Sequence, residues 1–357
     1  MAGKWIYWLK ELGQENNDIV GKKCANLGEL MKGGFNVPPG YALSVEAYNK
    51  FMTETEAQKR LLEYFQNFKA NPNDVSDMLK FDEASQYLRD MVESIKLPPD
   101  MEKTIKEYYQ ELCKIAGHDN IHVATRSAGP SSHPGQYETY LHVSGPDDVV
   151  HNVKRVWSST FNTRSMISRA RLDLPLYTDP IGVAVLTMVD AKAAGVMFTV
   201  NPVNGDESKV AMEGSFGVGE AVVSGSVTPD RYLVDKITLE IDEKVISDKG
   251  SAFVYNPETR EMEYKELPPE KRKLPCLEDR EVIELTKVAK RVEEHFGCTQ
   301  DLEFSISGSL PFPENIFLVQ ARPESIWGKK KKESVLGKKS GLDLFFERAM
   351  TPTKFSK

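Results

Sequence analysis

The sequence predicts an α+β protein built in more than one lobe, and three stretches carry that expectation. Residues 301–323 read as two short strands joined by a turn: Leu302, Phe304 and Ile306 alternate with Glu303, Ser305 and Ser307, and Ile316, Leu318, Gln320 and Arg322 alternate with Phe317, Val319 and Ala321. Residues 181–190 and 195–199 read as successive buried strands, with residues 210–213 as another. Residues 53–116 read as helical and mostly structural. A chain of 357 residues, 40% hydrophobic and 28% charged, can build two or three packed lobes.

Composition excludes several classes of function. A formal net charge of −7 and a pI near 5.6 leave no molecule-wide basic field suited to nucleic acid, so any phosphate recognition is local. Cys24, Cys113, Cys276 and Cys298 lie far apart, with no CxxC pair and no histidine at metal spacing. That argues against a zinc site or a disulfide scaffold and fits a reducing cytoplasm. The opening apolar run stops before Glu11, too short for a signal peptide, and no stretch reaches membrane-spanning length.

If the hairpin reverses about Pro311-Phe312-Pro313, Glu303 falls opposite Gln320 and Ser307 opposite Ile316, and antiparallel partners share a face. Glu303, Gln320 and Arg322 then line one face, and Leu302, Phe304, Phe317 and Val319 the reverse. Hard oxygen ligands beside an arginine suit a magnesium ion bridging nucleotide phosphates. The solvated outer face of an edge hairpin would present the same residues.

Earlier in the chain, residues 19–30 are expected to begin as a strand end, pass Gly21 and Lys22-Lys23, and enter an amphipathic helix marked by Ala25, Leu27 and Leu30. A lysine at a helix start favours an anion, although a solvated lysine pair looks the same. Val37-Pro38-Pro39-Gly40 is a turn, residues 41–43 a short strand, and Ser44 the N-cap of a helix through Phe51. In residues 100–115 the stripe Met101, Ile105, Tyr108, Leu112 and Ile115 marks a helix, with Asp100 as cap and Gly117 past its end. A strand ending at Thr125 delivers Arg126 to a loop of small residues, 127–135, and a strand resumes over 136–143. Such loops turn several N–H groups towards one phosphate, or merely connect. His133 within it is either a phosphoryl acceptor or solvent-facing. Two helices follow over 147–172, whose Arg155, Arg164, Arg169 and Arg171 read as solvated charges. Gly217, Gly219 and Gly225 give residues 215–230 a flexible backbone of the sort that folds over a triphosphate.

Together, Lys23 in GKKCANLGEL, Pro38-Pro39-Gly40, Arg126-Ser127-Ala128, Gly135-Gln136-x-Glu138-Thr139-Tyr140-Leu141, Gly195-Val196-Met197-Phe198-Thr199-x-Asn201-Pro202, Gly217-x-Gly219-Glu220, Thr228-Pro229-Asp230, Gln300-Asp301-x-Glu303 and Gln320-x-Arg322-Pro323 follow one order. In that order the chain resembles the ATP-grasp nucleotide-binding module of phosphoenolpyruvate synthases and pyruvate phosphate dikinases, nearly from its N-terminus to Pro323. The resemblance implies an α+β ATP-grasp fold with ATP in a cleft between two lobes. These would be residues 1–195, with a helical insertion, and 196–326, with the metal-binding hairpin, followed by a basic tail at 327–357. It implies phosphate binding by Lys23 and Arg126, a glycine-rich loop at Gly135, Gln136 and Thr139, and further nucleotide contact at Gly217 and Gly219. Magnesium, or manganese, would sit on Glu303 and Gln320, and Arg322 would be catalytic together with Lys23 and Arg126. Three departures stand out. The family's Gly-Gly-Lys is here Gly21-Lys22-Lys23, so either lysine can be the one at the phosphate. The loop after Arg126 is shorter than in most synthases, and Leu186 replaces a glutamine usual near the adenine.

In whole-length enzymes of this kind a swivelling domain with a phosphorylatable histidine in a Thr-Ser-His-type motif follows, and then an acceptor-binding barrel. None of the six histidines lies in such a motif, and a short tail follows Pro323. The histidine domain and acceptor site are accordingly expected on a separate subunit. The Gly129-Pro130-x-Ser132-His133-Pro134-Gly135 loop adds a resemblance to the ATP-binding subunit of phenylphosphate synthase. The implied reaction passes the β-phosphoryl group of ATP to a histidine of the partner, releasing AMP and phosphate, for the phosphorylation of phenol. Two other readings are a direct kinase of the antibiotic-phosphorylating type, which carries its histidine domain in the same chain, and a non-catalytic nucleotide-sensing subunit, which has no need of Glu303, Gln320 and Arg322 together. Lys329 to Lys332 and the amphipathic Leu342, Leu344, Phe345 and Phe346 suit either a disordered terminus or a docking segment. Neither nucleic acid nor membrane is expected as a partner.

Overall fold

The computed structural model describes residues 4–129 and 137–327. His133, Gly135 and Gln136, and the tail with Lys329 to Lys332, lie outside the described residues.

The first sheet contains β1 (Ile6–Trp8), β2 (Gly40–Leu43), β3 (His122–Ala128), β4 (Thr139–Ser144) and β5 (Gly182–Thr187), in the order β1-β2-β5-β3-β4. The second begins with β6 (Ala191–Phe198), β7 (Lys209–Phe216), β8 (Asp230–Asp235) and β9 (Ile241–Val245). After a separate ribbon of β10 (Ser251–Asn256) and β11 (Glu261–Glu266), β12 (Gln300–Ser307) and β13 (Ile316–Pro323) return to it, giving the order β13-β12-β6-β7-β8-β9. All neighbours are antiparallel. The chain changes sheet between Thr187 and Ala191, so the expected lobe boundary at 195 falls inside β6, a strand held on both edges by β12 and β7.

The helices are α1 (Asn17–Lys32), α2 (Val45–Glu54), α3 (Ala57–Asn67), α4 (Met78–Ser94), α5 (Pro99–Ala116), α6 (Pro146–Ser158), α7 (Thr163–Arg171), the short α8 (Glu220–Val223) and α9 (Pro269–Arg272), and α10 (Asp279–Phe296). None is long and apolar enough to cross a membrane. Period-two alternation gives the first sheet two apolar faces. Tyr41, Leu43, Val123, Val183 and Val185 point into one core with Phe51, Phe81, Leu88, Ile105 and Trp157 of the helical layer. Ala42, Ala128, Ala184 and Leu186 point the other way, onto Cys24, Ala25 and Leu27 of α1, in a core continuous with Leu302, Phe304, Leu318 and Ala321 of the second sheet and Val282, Leu285 and Ala289 of α10. Leu186 is thus a core side chain. Each fully buried Leu or Phe here contributes roughly 1.5–3 kcal/mol.

Several local expectations are corrected. Ile19 and Val20 belong to α1, which is helical from Asn17 and broken at Gly21 (φ 78°, ψ 154°); two apolar residues carry no period, so a strand end and a helical turn read alike. α5 starts at Pro99 with Asp100 in its first turn, paired to Lys50. Its buried stripe is Met101, Ile105, Tyr109, Leu112 and Cys113; Ile115 is exposed, and Tyr108 stacks on Trp8. Arg169 is buried, donating to the carbonyls of Thr178 (3.0 Å) and Thr160. The strands from β8 to β11 and the helix α10 went unread in the sequence.

In the hairpin Glu303 does face Gln320, but a β-bulge after Glu303 sets Phe304 opposite Leu318 and Ile306 opposite Ile316. The unmatched residue is Val319. Strict alternation would have exposed either Leu318 or Ala321; the bulge buries both, with Ile316, and still leaves Gln320 and Arg322 on the face of Glu303. Phe317 and Val319 are therefore not part of the apolar reverse face.

A left-handed Gly21 also allows close packing, since a Cβ there would meet the Ala128 carbonyl oxygen at 2.4 Å. Gly34 has a similar φ, +74°, with nothing within 4 Å. Gly34→Ala is expected to cost about 1–2 kcal/mol of backbone strain, and Gly21→Ala about 3 kcal/mol or more because the clash adds to it. Urea unfolding of the two variants checks this, and equal losses would remove the packing constraint.

Candidate active site

The break at Gly21 restarts α1, so Lys22 and Lys23 stand in a fresh first turn whose N–H groups lack intrahelical partners. Lys23 is open to solvent yet ringed by protein. That crowding foremost, and the Arg126 guanidinium next, bring its pKa from the ordinary 10.5 down to about 8; Glu303 opposes the shift and Arg322 adds to it. Lys23 therefore shares one electrostatic neighbourhood with the strand-end arginine and the hairpin.

Arg126 projects from β3, and Thr139 is its Cα partner on β4, so both point to the same side of the first sheet. The guanidinium crosses to the second sheet. Nη1 donates to the Val319 carbonyl (3.1 Å), Nη2 donates to Gln320 Oε1 (2.9 Å), and Nη2 lies 3.6 Å from Glu303 Oε2. The bulge frees that carbonyl: Val319 has no partner in the β12 ladder, so its oxygen is free to accept from outside the hairpin. The hairpin is fixed against α1 by Asn26 Nδ2 donating to the Ala321 carbonyl (2.8 Å), and against the following turn by Leu318 N–H donating to the Asn36 carbonyl (2.8 Å).

Arg322 is the Cα partner of Asp301, and its Nε (2.7 Å) and Nη2 (2.6 Å) both bind Asp301 Oδ2. Burial raises the Asp301 carboxyl above its usual range, and the Arg322 charge opposes that rise. A half-exposed guanidinium is thereby held by a buried carboxylate with its remaining edge towards solvent.

The glycine segment bounds the cleft from the second sheet. Gly217 (φ +82°) packs its backbone on the Phe253 carbonyl of β10, 2.3 Å from where a Cβ would sit, so its need for glycine is met by the fold itself. Gly219 precedes α8 and lies against Ala194. Glu220 beside it has its carboxyl raised by crowding, with Arg126 pulling it down, which places it across the cleft from β3. The far end of the segment is anchored by Asp230, fully buried, which accepts from Lys249 Nζ (2.5 Å), the Ser247 N–H (2.9 Å) and the Cys276 N–H (2.8 Å).

The sequence matches the model of the pyruvate phosphate dikinase AMP/ATP-binding domain over residues 17–340. The chain belongs to this family. It is 36% identical over 367 residues to a probable phosphoenolpyruvate synthase of Staphylothermus marinus, covering 94% of this chain and 43% of that protein. To a probable phosphoenolpyruvate synthase of Methanothermobacter thermautotrophicus it is 37% identical over 337 residues (93% and 47%), and to a phosphoenolpyruvate synthase of Aeropyrum pernix 35% identical over 366 residues (94% and 44%). The chain spans less than half the length of these relatives.

In this dikinase-family cleft the donor set suits magnesium, which takes one or two protein oxygens and completes its shell with phosphates and water. Glu303 and Gln320 offer one carboxylate and one carboxamide side by side, and a cation, the Arg126 guanidinium, already lies against both. Among the described residues no group of three or more His, Cys, Asp or Glu side chains could hold a metal. The structure thus brings Lys23, Arg126, Thr139, Glu303, Gln320 and Arg322 together, with Gly219 at the rim and Gly217 in a backbone role. The reading from sequence quoted Asp301, Glu220 and Asn26 within its motifs and gave none of them a role. The role of Asp301 was accessible by alternation, two residues before Glu303; those of Glu220 and Asn26 follow only from contacts distant in sequence.

With a pKa near 8, Lys23 is half-deprotonated at a pH where ordinary lysines remain charged. Competitive acetylation read by mass spectrometry is expected to label Lys23 ahead of exposed lysines near pH 8. Arg126→Met is expected to raise its midpoint, since a neighbouring positive charge has been removed. An unshifted midpoint would separate the two residues.

Proposed function

We propose that this chain binds ATP and magnesium in the cleft and donates the β-phosphoryl group to a histidine, AMP leaving from its α side and the γ-phosphoryl group passing to water as phosphate, as one part of a dikinase-type phosphotransferase. The observation that supports it is the convergence of Lys23, Arg126, Glu303, Gln320 and Arg322 on one cleft from opposite ends of the sequence. In this reading Lys23, Arg126 and Thr139 hold phosphate oxygens from the first sheet, and Glu303 and Gln320 hold the metal from the second. The bound ion supplies charge neutralisation between phosphates. Arg322, aimed by Asp301, neutralises charge on the group in transfer with a planar fork.

No described histidine belongs to the converging set: His122 and His142 lie against Tyr255, and His295 pairs with Glu29. The reading takes the acceptor histidine and acceptor site to be on a partner subunit and phenol to be the acceptor, on the resemblance to phenylphosphate synthase. The test is incubation with β-labelled ATP, with and without the candidate partner polypeptide. Acid-labile label is expected on a partner histidine. Label on this chain, lost in His133→Ala, overturns the partner reading, and label passed on to pyruvate in place of phenol overturns the acceptor.

Glu303→Ala and Gln320→Ala are expected to impair magnesium-dependent AMP formation more than they lower the urea midpoint, because each removes a hard ligand and leaves the apolar core of the hairpin in place. Parent-like turnover by both would end the metal assignment.

Arg322→Lys keeps the charge and loses the two-point hold on Asp301. It is expected to retain most ATP affinity by calorimetry and to form AMP on the order of 10²–10⁴-fold more slowly. Unchanged AMP formation would make Arg322 a surface charge.

A further inference from the structure

The oxygens gathered beside the bulge, Gln320 Oε1, the Val319 carbonyl and Glu303 Oε2, form a donor set of the kind that holds a hard cation, and the cation they hold is Arg126. The grip is incomplete: Arg126 Nε is buried with no hydrogen-bond partner. An unsatisfied buried donor costs about 1–3 kcal/mol, and in a native fold it calls for an explanation. A metal ion and a guanidinium compete for these oxygens, because their charges repel at this range and the Gln320 oxygen already accepts from Nη2 with one of its two lone pairs.

We propose that Arg126 is the resident cation of this seat and excludes a divalent ion until the phosphates of a nucleotide draw the guanidinium away. This rests on the nucleotide-binding function proposed above and adds an order of loading to it. The means of release lie on the same wall. Lys23 and Thr139 flank Arg126, so a polyphosphate held by them offers the guanidinium bidentate acceptors stronger than a carboxamide and a carbonyl. When Arg126 turns to those acceptors, its tie from β3 to β13 is released, and Glu303 and Gln320 are vacated for the ion that the nucleotide brings. Without nucleotide the ion meets a seat already neutralised by a positive charge.

The test uses the full chain and Mn2+ as probe, with free Mn2+ followed by electron paramagnetic resonance in the absence of nucleotide. Arg126→Met is expected to bind Mn2+ alone roughly tenfold or more tightly than the parent, within the range usual for coupling between exclusive occupants. Arg126→Gln, also neutral, serves if the methionine variant does not fold. Equal Mn2+ affinity in the parent and the neutral variants overturns the proposal and leaves the metal seat standing. A second arm distinguishes failure of the seat itself. With adenylyl imidodiphosphate present the parent is expected to bind Mn2+, and Glu303→Gln in the Arg126→Met background is expected to weaken binding of Mn2+ alone. If the analogue confers no Mn2+ binding, or Glu303→Gln changes nothing, the metal assignment falls and the loading order falls with it.

Discussion

Both sheets pack against a single helix, and the molecule depends on how closely α1 can approach them. The first sheet meets α1 with alanines, Ala42, Ala128 and Ala184, and α1 answers with Ala25; on another side Gly28 lets the segment after β1 come close, since a Cβ there would sit 2.5 Å from the Leu12 carbonyl oxygen. At Gly21 the contact is tighter still, backbone against the Ala128 carbonyl. Larger side chains at Gly21, Ala25, Ala42, Ala128 or Ala184 would push the helix off the sheet. The same closeness sets the chemistry, because it brings the restarted helix turn with Lys23 within electrostatic reach of Arg126 on β3 and Glu303 on β12.

The second constraint is the bulge in the β12–β13 hairpin. A regular ladder would have forced a choice between burying Leu318 and presenting Gln320 beside Glu303. One extra residue resolves that conflict and turns the Val319 carbonyl out of the ladder towards Arg126. A packing requirement and a binding geometry are thus met by one irregularity, as is common where bulges lie beside functional sites.

Charge in the cleft is mixed. Lys23, Arg126 and Arg322 stand among Glu220, Asp301 and Glu303, and the pKa shifts of Lys23, Glu220 and Asp301 follow burial first and their charged neighbours second. Arg322 is held to Asp301 on its own hairpin, whereas Arg126 reaches across the sheets with one donor unsatisfied. A cation tied within one element is fixed in aim; one that spans two elements couples their positions. The first sheet meets the β10–β11 ribbon through an aromatic contact: Tyr255 on β10 stacks on His142 of β4 at 4.4 Å, where burial foremost, with the neighbouring His122, holds the imidazole pKa down to about 4.

The sequence by itself determined the α+β class, the two-strand hairpin and the pairing of Glu303 with Gln320, since a period of two and a proline-rich turn are local signals. It also placed Lys23 at a helix start; Arg126, expected just past a strand ending at Thr125, lies inside β3, which runs on to Ala128 because Ser127 and Ala128 still pair with β5. Tertiary structure decided what alternation cannot encode. The slip after Glu303 exists because Ile316, Leu318 and Ala321 must all reach a core that includes α10, a helix distant in sequence. Arg169 reads as a surface charge until a loop of carbonyls closes around it, and Leu186 as a cleft residue until α1 covers it. The grip of Arg126 on Val319 and Gln320 joins residues nearly two hundred positions apart, a contact with no local signature in either partner. Local pattern follows from the backbone and its nearest neighbours, whereas burial and charge environment depend on which distant surfaces meet.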